Sequence, residues 1–179
     1  MKKALLVIDV QNDYFATGGF PLWNVVATAQ AIAKAMQAAL AQKIPIVLIQ
    51  HIANPANGPS PFFNAGTDGV EIHASICAVA PDAPVVIKRH ADGFFDTNLE
   101  ETLSNFGVDE LLICGMMTQN CVTHTAISKS AEKYKVSILA DCCTTVSEML
   151  HKIALSAVKT RLTVTSSGAV FGADTEKVN

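Results

Sequence analysis

The chain has 179 residues, half of them hydrophobic and 16% charged, which suits one folded domain with a substantial core and excludes a disordered chain. A formal charge of −3 without a Lys/Arg cluster argues against nucleic acid and anionic membrane surfaces as partners. No apolar stretch approaches the roughly 20 residues that span a bilayer. Five cysteines without a signal peptide, a CxxC pair or a zinc spacing point to the reducing cytoplasm.

The first predicted element is a strand over residues 5–10, in which Asp9 interrupts the apolar run. Phe15 and Trp23 fall in the loop after it, and a helix is predicted over 25–42. The strand at 46–49 leads into Gln50-His51. Residues 52–84 then break the rhythm, with five prolines, three glycines and little periodicity, as in a functional lid or interface loop. Within this loop Phe62-Phe63 is expected to cover a pocket or a partner subunit. A strand over 85–88 closes on Lys88. Thr97-Asn98-Leu99-Glu100 has the form of a capping box at the start of a helix over 98–106.

The strand at 111–114 stops at Gly115, and a helix is predicted over 119–133. A strand over 136–140 follows, and Asp141 with Thr144 and Thr145 reads as turn and cap chemistry. The last elements are a helix over 148–159, a strand over 162–165 and a frayed tail over 174–179. The strands are rich in Val, Ile and Leu on both faces, which marks parallel strands covered by helices on each side. Their alternation with helices predicts a doubly wound, Rossmann-like α/β domain over 1–179, with a six-stranded parallel sheet.

The segment Gly115-Met116-Met117-Thr118-Gln119-Asn120-Cys121-Val122 carries the chemistry. With Thr118 as N-cap, Cys121 falls in the first turn of a helix, where unpaired N–H groups and the helix dipole favour a thiolate near neutral pH. Position alone does not separate this reading from that of a small buried hydrophobe. In an open parallel sheet, ligands bind beyond the carboxyl ends of the strands, where Asp9 and Lys88 also stand. A carboxylate can take a thiol proton and pass it to a leaving group, while an ammonium stabilises both anions. Convergence of the three favours catalysis over the separate readings of a loop cap and a solvated lysine.

These residues carry a resemblance. Asp9-Val10-Gln11-Asn12-Asp13-Tyr14-Phe15, the lone Lys88 and the segment Gly115 to Val122 together resemble the isochorismatase-like cysteine hydrolase family, from about Ala4 to Thr165. Val70-Glu71-Ile72-His73 and Phe94-Phe95-Asp96-Thr97-Asn98-Leu99 are similar to further family segments. The resemblance implies an Asp9–Lys88–Cys121 triad, a cis peptide at Met116–Met117 and an oxyanion hole from the Met117 and Cys121 N–H groups. It also implies a homo-oligomer. The expected reaction is cleavage of a C–N bond in a small, linear amide or carbamoyl compound through an acyl-Cys121 intermediate. Two alternatives stand beside it: vinyl-ether hydrolysis of the isochorismatase type, and a non-catalytic binding or assembly protein on the same fold.

The chain departs from the nicotinamidases of that family, which bind a metal through Asp-x-His after the second strand. Here that strand runs into Gln50-His51-Ile52-Ala53-Asn54, so no metal is expected, and no GxGxxG or Walker-type loop supports a nucleotide cofactor. A His51–His73 pair is a possible remnant of a metal site, but His51 reads better as a residue lining the pocket or bonded to the lid. Gln11, sharing Asp9's direction if the strand persists, is a candidate for orienting Asp9 or the substrate amide. Phe15, Trp23, His51 and Met116 complete the expected substrate-binding set, with a core role open for both Phe15 and Trp23. His90, His124 and Cys114 carry little.

Overall fold

A computed structural model describes residues 1–172; the tail over 174–179 lies outside the described residues. Six strands form one parallel sheet: β1 (Lys3–Ile8), β2 (Ile46–His51), β3 (Val85–Lys88), β4 (Glu110–Met116), β5 (Lys135–Thr144) and β6 (Thr163–Thr165), in the order β3-β2-β1-β4-β5-β6. Every residue of β4 is buried, as are the last five of β1, so these central strands need apolar side chains on both faces. At the edge, β3 alternates between exposed and buried residues, which places Val86 and Lys88 inward.

The helices are α1 (Val25–Ala41), α2 (Ala74–Cys77), α3 (Leu99–Phe106), α4 (Thr123–Ala126), α5 (Glu148–Val158) and α6 (Ser167–Phe171). Helix α1 lies along β1, β2, β4 and β5, with α2 and α6 beside it, while α4 and α5 pack on β5. Right-handed crossovers that run outward from β1 one way and from β4 the other place the helices on both faces. The reversal of strand order between β1 and β4 opens the crevice that this class of sheet uses for ligands. Among the described residues, no helix is long and apolar enough to cross a membrane.

Three local expectations hold only in part, for identifiable reasons. The helix over 119–133 is broken into a π turn (Thr118–Val122), α4 and a 3-10 turn (Lys129–Lys133). Thr118 does not cap it, because its hydroxyl meets His151 Nδ1 of α5 at 2.9 Å. The capping box at α3 closes only on its threonine side: Thr97 Oγ1 accepts from Leu99 N at 3.2 Å while donating to the Gly93 carbonyl at 2.6 Å, and Glu100 pairs with Lys133. Strand β5 runs on through Cys142 and Cys143, and Asp141 caps α6 by accepting from Ser167 N (2.8 Å) and Oγ (2.5 Å).

Gly115 is required at the crevice. Its φ is +122°, and a Cβ there would stand 2.0 Å from the Ile8 carbonyl oxygen on β1. Gly115→Ala is expected to lower stability by about 3 kcal/mol or more, since an unfavourable φ and a backbone clash add. Urea unfolding measures this, and a loss below about 1 kcal/mol would show that β1 and β4 part easily here.

Candidate active site

Asp9 follows β1 with a left-handed φ of 51°, a conformation that non-glycine residues adopt rarely and that clusters at functional sites. Its backbone N–H donates to the Ile49 carbonyl at 2.9 Å, which pins the turn to β2. The turn ends the strand at Ile8 and redirects the chain, so the alternation that would align Gln11 with Asp9 is lost. Gln11 is instead fully buried as a clasp. Its Nε2 donates to the His51 and Val70 carbonyls (2.8 and 2.7 Å), and its Oε1 accepts from His51 N at 2.8 Å. The expectation that it orients Asp9 or a substrate amide is therefore corrected: it fixes the end of β2 and the long loop.

Lys88, at the end of β3, reaches over β2 to the Asp9 side chain. Its Nζ lies 2.8 Å from Asp9 Oδ2 and 3.2 Å from Cys121 Sγ, with His51 Nδ1 and the His90 carbonyl oxygen each at 3.0 Å. Asp9, Lys88 and Cys121 are each at most 1% exposed. Burial alone would lower the lysine pKa, but the Asp9 carboxylate and the Cys121 sulfur outweigh it and hold the ammonium above its ordinary value. Both Asp9 carboxylate oxygens are buried without a hydrogen bond; Oδ2 meets the Lys88 ammonium as an ion pair, and Oδ1 is left to accept a proton.

Cys121 sits in the π turn and not in a regular first helical turn. Burial, followed by the Asp9 charge, pushes its pKa up to about 12, with Lys88 pulling the other way. The expected thiolate at neutral pH is thus replaced by a thiol. Enclosure outweighs the ammonium, because desolvation penalises the charged form. The Met116–Met117 peptide is cis. Met116 ends β4 wholly buried, so it belongs to the core and lines no open pocket; Met117 is 8% exposed, and its sulfur accepts from Gln119 Nε2.

The remaining candidates scatter. Phe15 stacks on His73 with centroids 3.9 Å apart, in a small apolar pocket with Val26, Ala29 and Ala33 of α1. His73 is further held by Ser75, so it does not pair with His51. Trp23, 37% exposed, lies 6.2 Å from the His151 ring beside Thr118. The His90 and His124 rings are exposed, and Cys114 is buried with its sulfur 3.5 Å from the Leu6 carbonyl oxygen.

Tyr14 was not singled out, although it lies inside the Asp9–Phe15 motif. It is 1% exposed, packed against Phe63 at 4.8 Å, and burial together with the nearby Asp9 and Cys121 raises its phenol pKa. The signal was available: a hydroxyl-bearing aromatic five residues after a strand-end acid. Phe63, itself at φ 63°, closes over His51 (5.7 Å) and Tyr14, and Asp13 Oδ2 accepts from its N–H at 2.6 Å. The long loop thus covers the cluster.

Asp9, His51 and Cys121 offer ligand atoms within 4.8 Å of one another, a partial set for a metal ion. The fit is poor, because the Lys88 ammonium already lies within 3.2 Å of an atom of each and a divalent cation would have to displace it.

The fold and cluster together define a class: a doubly wound α/β protein whose switch point presents a carboxylate, an ammonium and a thiol. The chain belongs to the isochorismatase family, matching the isochorismatase domain over residues 3–169. It is 37% identical to the isochorismatase family protein YddQ of Bacillus subtilis, with 81% of this chain and 79% of that one covered. Identity to the ureidoacrylate amidohydrolase of Methylobacterium radiotolerans is 30%, over 93% and 77% of the two chains. The crystal structure of an isochorismatase-like hydrolase from Alkaliphilus metalliredigens superposes with a TM-score of 0.85 at 25% identity, covering 97% and 99%.

Proposed function

We propose that this chain is a metal-independent cysteine hydrolase that cleaves the C–N bond of a small amide or carbamoyl compound through an acyl-Cys121 intermediate. The observation that carries the reading is the enclosure of Asp9, Cys121 and Lys88 together, with Lys88 Nζ 2.8 Å from the carboxylate and 3.2 Å from the sulfur. Asp9 Oδ1 takes the thiol proton as Sγ attacks the substrate carbonyl. The Met117 and Cys121 N–H groups receive the developing oxyanion. Asp9 then returns the proton to the departing nitrogen, and water, deprotonated by Asp9, releases the acid and regenerates the thiol. Similarity to an amidohydrolase supports the choice of a C–N bond over a vinyl ether.

Incubation with a panel of linear amides and carbamoyl compounds, read by ammonia release and by mass spectrometry of Cys121, tests the proposal. Ammonia together with an acyl adduct on Cys121 is the expected result. Turnover of isochorismate that survives Cys121→Ala would favour the vinyl-ether reaction. Activity lost to chelators and restored by zinc would overturn metal independence.

A further inference from the structure

The loop over residues 54–67 is held from outside at one residue. Among the described residues its hydrogen bonds run within the loop, as those of Asn54 with Ala56 and of Ser60 with Asn64 do, except at Phe63. The Phe63 carbonyl accepts from Ala53 N at 2.8 Å, and the Phe63 N–H donates to Asp13 Oδ2 at 2.6 Å. Ala53 lies on the chain leaving β2, so among the described residues Asp13 makes the one such tie to a different part of the fold. Ring contacts of Phe62 with Phe20 and Tyr14, at 5.0 and 5.8 Å, bury area without fixing the backbone.

Asp13 occupies a fitted niche. It is 9% exposed, and its Oδ1 accepts from Gly19 N at 2.9 Å while Oδ2 serves Phe63. Two backbone N–H groups thus satisfy an enclosed carboxylate, through bonds stronger than those between neutral groups. The space depends on Gly69, where a Cβ would stand 2.1 Å from Asp13 Oδ1. The residue so held is in an uncommon conformation: Phe63 has a φ of 63°, which bulky side chains rarely adopt, and it is 1% exposed. Its ring lies 4.8 Å from that of Tyr14 and 5.7 Å from that of His51, whose Nδ1 is 3.0 Å from Lys88 Nζ.

We propose that Asp13 is a positioning residue whose carboxylate latches Phe63 and so keeps the loop shut over the Asp9–Lys88–Cys121 cluster, release of this hydrogen bond being the step that admits substrate to the thiol. With Cys121 1% exposed, no carbonyl carbon reaches Sγ until the cover moves. No covalent bond changes as the loop lifts; the Phe63 N–H and the carboxylate oxygen pass to water. The bearing of the latch on turnover rests on Cys121 being the nucleophile.

Alkylation by iodoacetamide at a fixed pH, read for each cysteine by tandem mass spectrometry, tests the latch without substrate. Asp13→Ala removes the acceptor, and the Cys121 rate is expected to rise about tenfold or more, the factor set by losing a hydrogen bond to a charged group. Cys114 in β4 and Cys142 in β5, both 0% exposed, are expected to keep their rates. Phe63→Ala lifts the cover by itself. Adding Asp13→Ala to it is therefore expected to change the Cys121 rate by less than about twofold.

A role confined to stability would speed all three thiols together. That pattern, an unchanged Cys121 rate, or a double variant in which the two effects multiply overturns the proposal. Should a variant fail to fold by circular dichroism, amide hydrogen exchange of the unaltered protein decides. Protection of the Phe63 N–H by about a hundredfold or more supports the latch, and lesser protection overturns it. Full turnover by Cys121→Ala would defeat the reading of the preceding subsection and leave the latch to be judged by the alkylation rates alone.

Discussion

Cys121→Ala is expected to reduce amide turnover at least about ten-thousandfold, the scale seen when a covalent nucleophile is removed from a catalytic unit whose members act together. The loss should appear in kcat, with the fold intact by circular dichroism, because Cys121 contributes a small side chain to a large core. Activity within tenfold of the unaltered protein would show that water attacks directly and that the thiol is a bystander. The raised thiol pKa adds a second readout. At neutral pH Cys121 should react with iodoacetamide more slowly than the exposed Cys77, since its proton is lost only as its pKa of about 12 is approached. The sign for stability follows. The folded thiol lies above its ordinary value, so its contribution is complete below about pH 9 and is lost as the pH rises towards about 12.

Lys88→Met is expected to remove activity and also to destabilise the fold by about 3–5 kcal/mol, the range for removing one partner of a buried ion pair. Methionine matches the lysine stem in length, so the loss reports the Asp9 carboxylate left enclosed at 0% exposure without its cation. Asp9→Asn combined with Lys88→Met should recover most of that stability and none of the activity. Thermal and urea unfolding of the single and double variants make the comparison. A single variant as stable as the unaltered protein would mean that Asp9 is neutral in the resting site. The ion pair would then form only during turnover.

The alternation of Val-, Ile- and Leu-rich runs with helical segments was legible because burial on both faces leaves a direct mark on composition. The strand starts and ends shifted by up to four residues, most of all in β5, where Cys142 and Cys143 stay in the sheet. Three residues of the site could be placed because each stands at or just beyond a strand end, where sheet topology dictates where ligands bind. What could not be read depends on three-dimensional competition. Thr118 and Glu100 have the right spacing for cap chemistry, but each side chain finds a partner outside its own helix start, His151 and Lys133 respectively. The left-handed turn at Asp9, invisible in a pattern of residue types, sends Gln11 into the loop clasp. The thiol pKa depends on enclosure, which no local motif encodes. Tyr14 was overlooked because Phe15, its neighbour, carried the expectation of an aromatic contact.

Strand order places β2 between the strands that bear Lys88 and Asp9, so the two backbones stand roughly 10 Å apart, twice the usual strand spacing. The lysine stem must therefore bridge the mouth of β2, and the chain leaving that strand has to pass beneath it; the Ile52 N–H donates to the Lys88 carbonyl at 3.0 Å as it does so. Position 51 is tied to this crossing whatever side chain it holds. The side chain there shares a wall with the enclosed Asp9–Lys88–Cys121 cluster, His51 Nδ1 lying 3.0 Å from the Lys88 ammonium.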